Sequence, residues 1–400
     1  MPYRNPLIDF LKAYGPSEAA NNLFDEHVTN AAARYGVEPF YVHNDLIDEI
    51  EDNFRATNPL SVVLTGTAGD GKTYLCRKLY ERLGGSAEDF QEAGDVKRLR
   101  TPGGKKLTII KDLSELREVD KEQELSVIAR AFTGGEPDRL FLFAANDGQL
   151  LKFWRDYVDN HPHAAQVFND IRWMLKEERA FHEDLPGLRL ENLSRQPNAE
   201  LFDKVVDAVL DHPDWKQCEG CPVAYQTPRC PILENRDRLR GQANNLFRQR
   251  LKATISLAAA NDRHLPMRQL FLLVANILLG DKVGYGLLTC QKAQTRARDW
   301  NYAATNPYDN ALGLNLRVSY QGIYAAFTTL ANFGIGQETN KTVDTLLLET
   351  RPAEWHQAHV ANDPLYGAPL LEDERCTYLR GSSEQYEALL KAMESQRRRL

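Results

Sequence analysis

One segment of this chain carries residue types in an order that suits phosphate chemistry: Gly66-Thr67-Ala68-Gly69-Asp70-Gly71-Lys72-Thr73, with Tyr74 directly after it. Its glycines permit the tight turn that aims successive backbone N–H groups at phosphate oxygens. The helix expected to start at Lys72 adds the partial positive charge of its N-terminus. In this pattern the lysine, Lys72, reaches the β- and γ-phosphates of a bound nucleotide, and the Thr73 hydroxyl coordinates Mg²⁺. A chance glycine-rich turn would lack the flanks seen here. Residues 60–64 are an apolar strand-like run, Leu75, Leu79 and Leu83 share one helical face, and Gly84-Gly85 closes the helix.

Such a loop works with an acidic residue at a neighbouring strand end, which holds the Mg²⁺ through water. The run Leu107-Thr108-Ile109-Ile110-Lys111-Asp112 supplies it in Asp112, and Glu115 follows as a residue able to polarise an attacking water. The bland alternative is that both acids cap the next turn. A further apolar run ends Ala144-Ala145-Asn146-Asp147-Gly148. Asn146 is placed to orient the lytic water, the sensor 1 role of AAA+-type ATPases. Asn-Asp-Gly is also a common turn sequence. A GTPase would need Asn-Lys-x-Asp after a strand. The nearest match, Asn340-Lys341-Thr342-Val343-Asp344, has the wrong spacing and reads as a helix start. Adenine is the expected base.

A second group of chemically capable residues is Cys218-Glu219-Gly220-Cys221 with Cys230-Pro231 downstream. Two cysteines separated by two residues can grip one ion from a single turn, as in Zn²⁺ sites. A fourth ligand could come from His212, His264 or Cys290; an iron–sulfur cluster uses the same thiolates, and buried structural thiols are the plain alternative. Further on, Asp262-Arg263-His264-Leu265-Pro266-Met267-Arg268 opens a strongly apolar helix. Arg268, with Arg263 second, is the candidate for an arginine that a helical lid extends to the γ-phosphate, where its fork geometry suits phosphate.

Four elements of organisation follow. Residues 1–55 read as an N-terminal helical segment, with Ser17 able to cap its second helix. Residues 56–197 alternate apolar runs with helices. These include a hairpin about Thr101-Pro102-Gly103-Gly104 and predict an α/β P-loop core: a mostly parallel sheet with helices on both faces. Residues 198–280 hold the cysteine knuckle and the helical lid. Residues 281–400 form a mostly helical region, loop-rich at Asn306–Asn310 and Asn362-Asp363-Pro364. Its basic end, Arg397-Arg398-Arg399, fits an incomplete C-terminal region. The 400 residues carry net charge −7, which excludes a non-specific nucleic-acid coat but leaves room for a local basic stripe such as Arg236, Arg238, Arg240, Arg248 and Arg250. No apolar run approaches the roughly 20 residues of a membrane span. The N-terminus lacks a signal-peptide apolar core, so a cytoplasmic protein with reduced or metal-bound cysteines is expected.

Taken in order, several pieces resemble one family. They are Gly15-Pro16-Ser17 with Asn22-Leu23-Phe24-Asp25-Glu26, the glycine-rich loop, Ile110-Lys111-Asp112-Leu113-Ser114-Glu115, Ala144-Ala145-Asn146-Asp147-Gly148, the knuckle with Pro231-Ile232, and His264-Leu265-Pro266-Met267-Arg268. Over about residues 15–330 this order resembles the DptF-like ATPases of bacterial DNA-phosphorothioation-dependent restriction systems. The resemblance implies an AAA+-like ATPase, using ATP and Mg²⁺, that works with nuclease or translocase subunits to restrict DNA lacking the modification. Contact with DNA and homo-oligomers completed by an arginine finger are implied with it. Two other classes compete. One is a nucleotide-binding scaffold or sensor that assembles a complex with slow or no hydrolysis. The other is a small-molecule kinase, which would need an acceptor lid with clustered arginines that the sequence does not display.

Overall fold

A computed structural model of the chain describes residues 3–16, 25–91, 94, 96–113, 118–159, 161, 163–241 and 247–332. Ser17, Glu115, the Asn340–Asp344 segment, Asn362-Asp363-Pro364 and the basic end lie outside the described residues. The chain divides into two compact units: a sheet unit, His43–Gln196, and a helical unit built from Met1–Val42 with Pro197–Leu400. The helical unit opens with α1 (Pro6–Lys12) and α2 (Asp25–Tyr35). The sheet unit comprises α3 (Asp45–Arg55), β1 (Ser61–Thr65), α4 (Lys72–Arg82), α5 (Ala87–Gln91), β2 (Val96–Arg100), β3 (Lys106–Ile110), α6 (Glu118–Phe132), β4 (Arg139–Ala144), α7 (Asp147–Arg155), α8 (Ala164–Lys176) and β5 (Leu188–Asn192). The helical unit resumes with α9 (Asn198–Leu210), α10 (Pro231–Arg240), α11 (Phe247–Ala259), α12 (Met267–Leu279), the two-residue strands β6 (Gly280–Asp281) and β7 (Gly286–Leu287), α13 (Cys290–Arg298), α14 (Pro307–Ala311), α15 (Val318–Gln321) and α16 (Ala325–Asn332).

The five strands of the sheet unit stand in the order β2-β3-β4-β1-β5. β3, β4, β1 and β5 run parallel, and β2 returns antiparallel to β3 as the expected hairpin. The chain is thus α/β with a mostly parallel sheet. Side chains alternate between its faces. Val62, Leu64, Leu107, Ile109, Leu140 and Leu142 join one buried cluster with α3 and α4. Val63, Phe141, Phe143, Leu188 and Leu190 join another with α6, α7 and α8. Both faces are covered, which is why these strands read as unbroken apolar runs. α3, placed by sequence with the N-terminal segment, clusters with the sheet.

In the helical unit every residue of α12 from Leu270 to Leu279 is buried. A helix apolar on all sides needs neighbours on all sides, and α1, α9, α10, α14 and α16 supply them. Its polar exception, Asn276, is fully buried and exchanges side-chain hydrogen bonds with Asn315, 2.9 Å each way, while also donating to the Asn310 carbonyl at 2.6 Å. The last carbonyls of α12 take donors from Asn235 and Asn310, so its end is satisfied without solvent. Among the described residues no helix is long and apolar enough to cross a membrane.

Candidate functional site: a glycine-rich loop at the parallel strand ends

Strand register decides which residues meet. Leu64 of β1 is level with Ala144 of β4, and Ile110 of β3 is level with Phe143. The backbone continues this alignment past the strand ends: Ala145 donates to the Leu64 carbonyl at 3.0 Å and Leu113 to the Ala144 carbonyl at 2.9 Å. Gly66, Asp112 and Asn146 therefore leave one edge of the sheet together, where open parallel sheets hold their ligands. The acidic strand β3 is not the direct neighbour of β1; β4 lies between them.

The loop after β1 requires its glycines. Gly66, Gly69 and Gly71 have φ of 135°, 94° and 89°, a region that favours glycine. At Gly66 a Cβ would also stand 2.7 Å from Asp70 Oδ2 and 3.0 Å from Ser194 Oγ. Gly71 ends the loop as the N-cap of α4, where no side chain caps the helix and no acid occupies its first turn. An uncapped helix start following such a turn offers backbone donors to an anion. Thr73 and Tyr74 follow Lys72 in that first turn, both half-buried.

Lys72 Nζ donates to the carbonyls of Gly66 at 3.0 Å and Thr67 at 2.8 Å, and to Asn146 Oδ1 at 2.8 Å. An ammonium has three donors, and all three are used. Burial pulls its pKa below the ordinary lysine value, against the charges of Asp70, Asp112 and Asp147, which raise it. Asn146 has two tasks. It starts α7, with its N–H donating to Gln149 Oε1 at 3.2 Å, and it faces the loop lysine. The Asn-Asp-Gly sequence thus starts a helix, as a turn sequence can, and brings Asn146 to Lys72.

A network around the loop involves residues that sequence reasoning passed over. Asp70 is 4% exposed, and its Oδ2 accepts from Thr67 N at 2.7 Å, Thr67 Oγ1 at 3.0 Å and Ser194 Oγ at 2.6 Å. Ser194 N donates to Asn192 Oδ1 at 3.0 Å, and Asn192 Nδ2 donates to Asp147 Oδ2 at 3.3 Å. The other oxygen of Asp147 is buried with no hydrogen-bond partner. Asp147 had a visible signal, an acid directly after the candidate sensor. Ser194 had none, because it comes from the far end of β5.

Of the remaining candidates, Arg268 stands in the first turn of α12 in the helical unit, where burial lowers its pKa. The arginines of the basic stripe have internal partners. Arg236 lies over the Trp215 ring and, with Arg240, donates to the Leu210 carbonyl at the end of α9. Arg238 pairs with Glu234, and Arg248 with Asp203 and Asp207. Arg250 is 1% exposed.

The cysteines form a separate group. Cys218, Cys221 and Cys230 line one small cavity together with Cys290. His212 is committed elsewhere: Nε2 meets the Glu38 carbonyl at 3.0 Å, and Nδ1 accepts from Asp214 N at 3.2 Å. His264 Nδ1 meets Asn198 Oδ1 at 3.1 Å. Neither histidine lines the cavity. Comparison of the chain with protein-family models, curated proteins and solved structures gives no match.

Proposed function

We propose that the glycine-rich loop binds the phosphates of ATP and that the chain hydrolyses it, as a P-loop ATPase of AAA+-like organisation. One observation carries this reading: Lys72 Nζ and Asn146 Oδ1, from separate strand–helix junctions, stand 2.8 Å apart at the end of the parallel sheet. A lysine that reaches the terminal phosphates and an amide beside it are the pair needed to hold a γ-phosphate and orient a water against it. The positive-φ glycines and the uncapped start of α4 fit the phosphates. Thr73 and Asp112 would hold Mg²⁺, with Asp147 as a further carboxylate. When bound, that ion supplies charge neutralisation on the phosphate oxygens. Phosphate oxygens would take over Lys72 from the carbonyls of Gly66 and Thr67, freeing it from the resting loop. Lys72 would then place its charge where negative charge develops, and Asn146 would align the attacking water.

The wider setting, a phage-defence complex with nuclease or translocase partners, rests on the sequence resemblance. So does DNA contact, since the basic stripe has internal partners. A nucleotide-binding scaffold or sensor is the second reading. It uses the same phosphate loop and differs from the ATPase in turnover alone. Radiolabelled ATP separates the two. In the ATPase, Asn146→Ala keeps ATP affinity within about tenfold and lowers turnover on the order of 100-fold. Unchanged turnover in that variant would remove Asn146 from the mechanism. Tight binding without turnover in the unsubstituted chain would establish the sensor.

A further inference from the structure

Three of the cysteines around the small cavity, Cys218, Cys221 and Cys230, lie close in sequence, and Cys290 joins them from far downstream. Cys218 and Cys221 lie on a tight turn, with Cys221 N donating to the Cys218 carbonyl at 2.9 Å. Cys230 is the N-cap of α10 and Cys290 the first residue of α13. The cavity between them is about 20 Å³, room for a single atom, and its other walls include Tyr3 and Ile8.

We infer that Cys218, Cys221, Cys230 and Cys290 form a structural zinc site, with Cys290 as the ligand that completes it. Donors already face the sulfurs. Asn5, fully buried, donates from its backbone N–H to Cys290 Sγ at 3.3 Å and from Nδ2 to Cys218 Sγ at 3.2 Å. Its Oδ1 is held by Leu7 N at 2.9 Å and its second amide hydrogen by the Asp214 carbonyl at 3.0 Å, so its orientation is fixed. N–H groups aimed at sulfur are the outer-shell contacts that stabilise metal-bound thiolate. Cys230 and Cys290 also occupy helix starts, where negative charge is favoured.

Tetrahedral Zn–S bonds of about 2.3 Å imply sulfurs roughly 3.8 Å apart. Among the described residues, the group of His, Cys, Asp and Glu with ligand atoms all within 4.8 Å of one another is Asp170, His182 and Asp184 in the sheet unit. The thiols therefore stand wider than zinc spacing, and a bound zinc would have to draw them inward. Four thiolates leave no open position, which makes the role structural. The ion would join the cysteine turn, α10 and α13, with Asn5 tying α1 to them.

Elemental analysis of the purified full chain tests this directly. One zinc per chain is expected. Cobalt added to the metal-free, reduced chain should give the intense visible and thiolate charge-transfer bands of a tetrahedral tetrathiolate. Cys290→Ser should weaken those bands and zinc retention, and Asn5→Ala should weaken zinc affinity about 10- to 100-fold. Absence of both zinc and the cobalt bands in the unsubstituted chain would overturn the proposal. So would iron with sulfide in its place, a native disulfide among these cysteines, or undiminished zinc affinity in a folded Cys290→Ser variant.

Discussion

Replacing Asp70 by alanine tests whether the loop network is built as described. Asp70 Oδ2 accepts three hydrogen bonds, from Thr67 N, Thr67 Oγ1 and Ser194 Oγ. Their removal is not additive. Thr67 N retains Ser194 Oγ at 2.9 Å, and Thr67 is exposed, so water can serve its hydroxyl. The hydrogen bond that nothing replaces is the charge-assisted one from Ser194, about 1.5–3 kcal/mol. Lys72 is deprived of a favourable charge as well. The expected cost is about 2–3 kcal/mol. At about 2–4 °C per kcal/mol for a unit of this size, the melting temperature falls by roughly 4–12 °C. Asp70→Asn keeps an acceptor and removes the charge, so it should cost about half as much. Circular dichroism melts at pH 7 would read both. A fall below about 2 °C in Asp70→Ala would refute the buried network.

Two other expectations concern stability. Burial pushes the Cys76 thiol from its ordinary 9.0 up to about 12. The folded chain then keeps a proton that the unfolded chain releases, so stability falls as pH rises from about 9 to 12, by about 1 kcal/mol per pH unit. Urea midpoints at pH 8 and pH 10 should show this fall, and Cys76→Ala should lessen it; equal slopes would contradict it. Asn276→Ala leaves the Asn315 amide and the Asn310 carbonyl without their partner in the core of the helical unit. It should cost about 2–4 kcal/mol. Adding Asn315→Ala should cost less than the sum of the single variants, and strict additivity would dissolve the pair.

The strand, turn and helix about residues 60–83 were legible because each leaves a local mark: an apolar run, glycines at positive φ, and leucines at helical spacing. Asn146 was legible for the same reason, as a polar residue ending an apolar strand. Strand order was not, because parallel pairing is non-local. Nothing within residues 107–112 says that β4 separates that strand from β1. Ser194 on Asp70, and Cys290 on the cavity that Cys230 lines, are meetings across long stretches of chain, set by packing and not by spacing. α8 is a different case. Its buried Ala164, Val167, Ile171 and Met174 have helical spacing that the reading of the sequence passed over.

On the proposed function Lys72 serves phosphate, and isothermal titration of Mg²⁺-ATP into the full chain and into Lys72→Ala measures that role. The lysine now satisfied by Gly66, Thr67 and Asn146 should exchange the Gly66 and Thr67 carbonyls for phosphate oxygens. Its removal should cost about 3 kcal/mol of binding, more than 100-fold in affinity. Equal affinity in the two proteins, or no binding by the unsubstituted chain, would contradict the account.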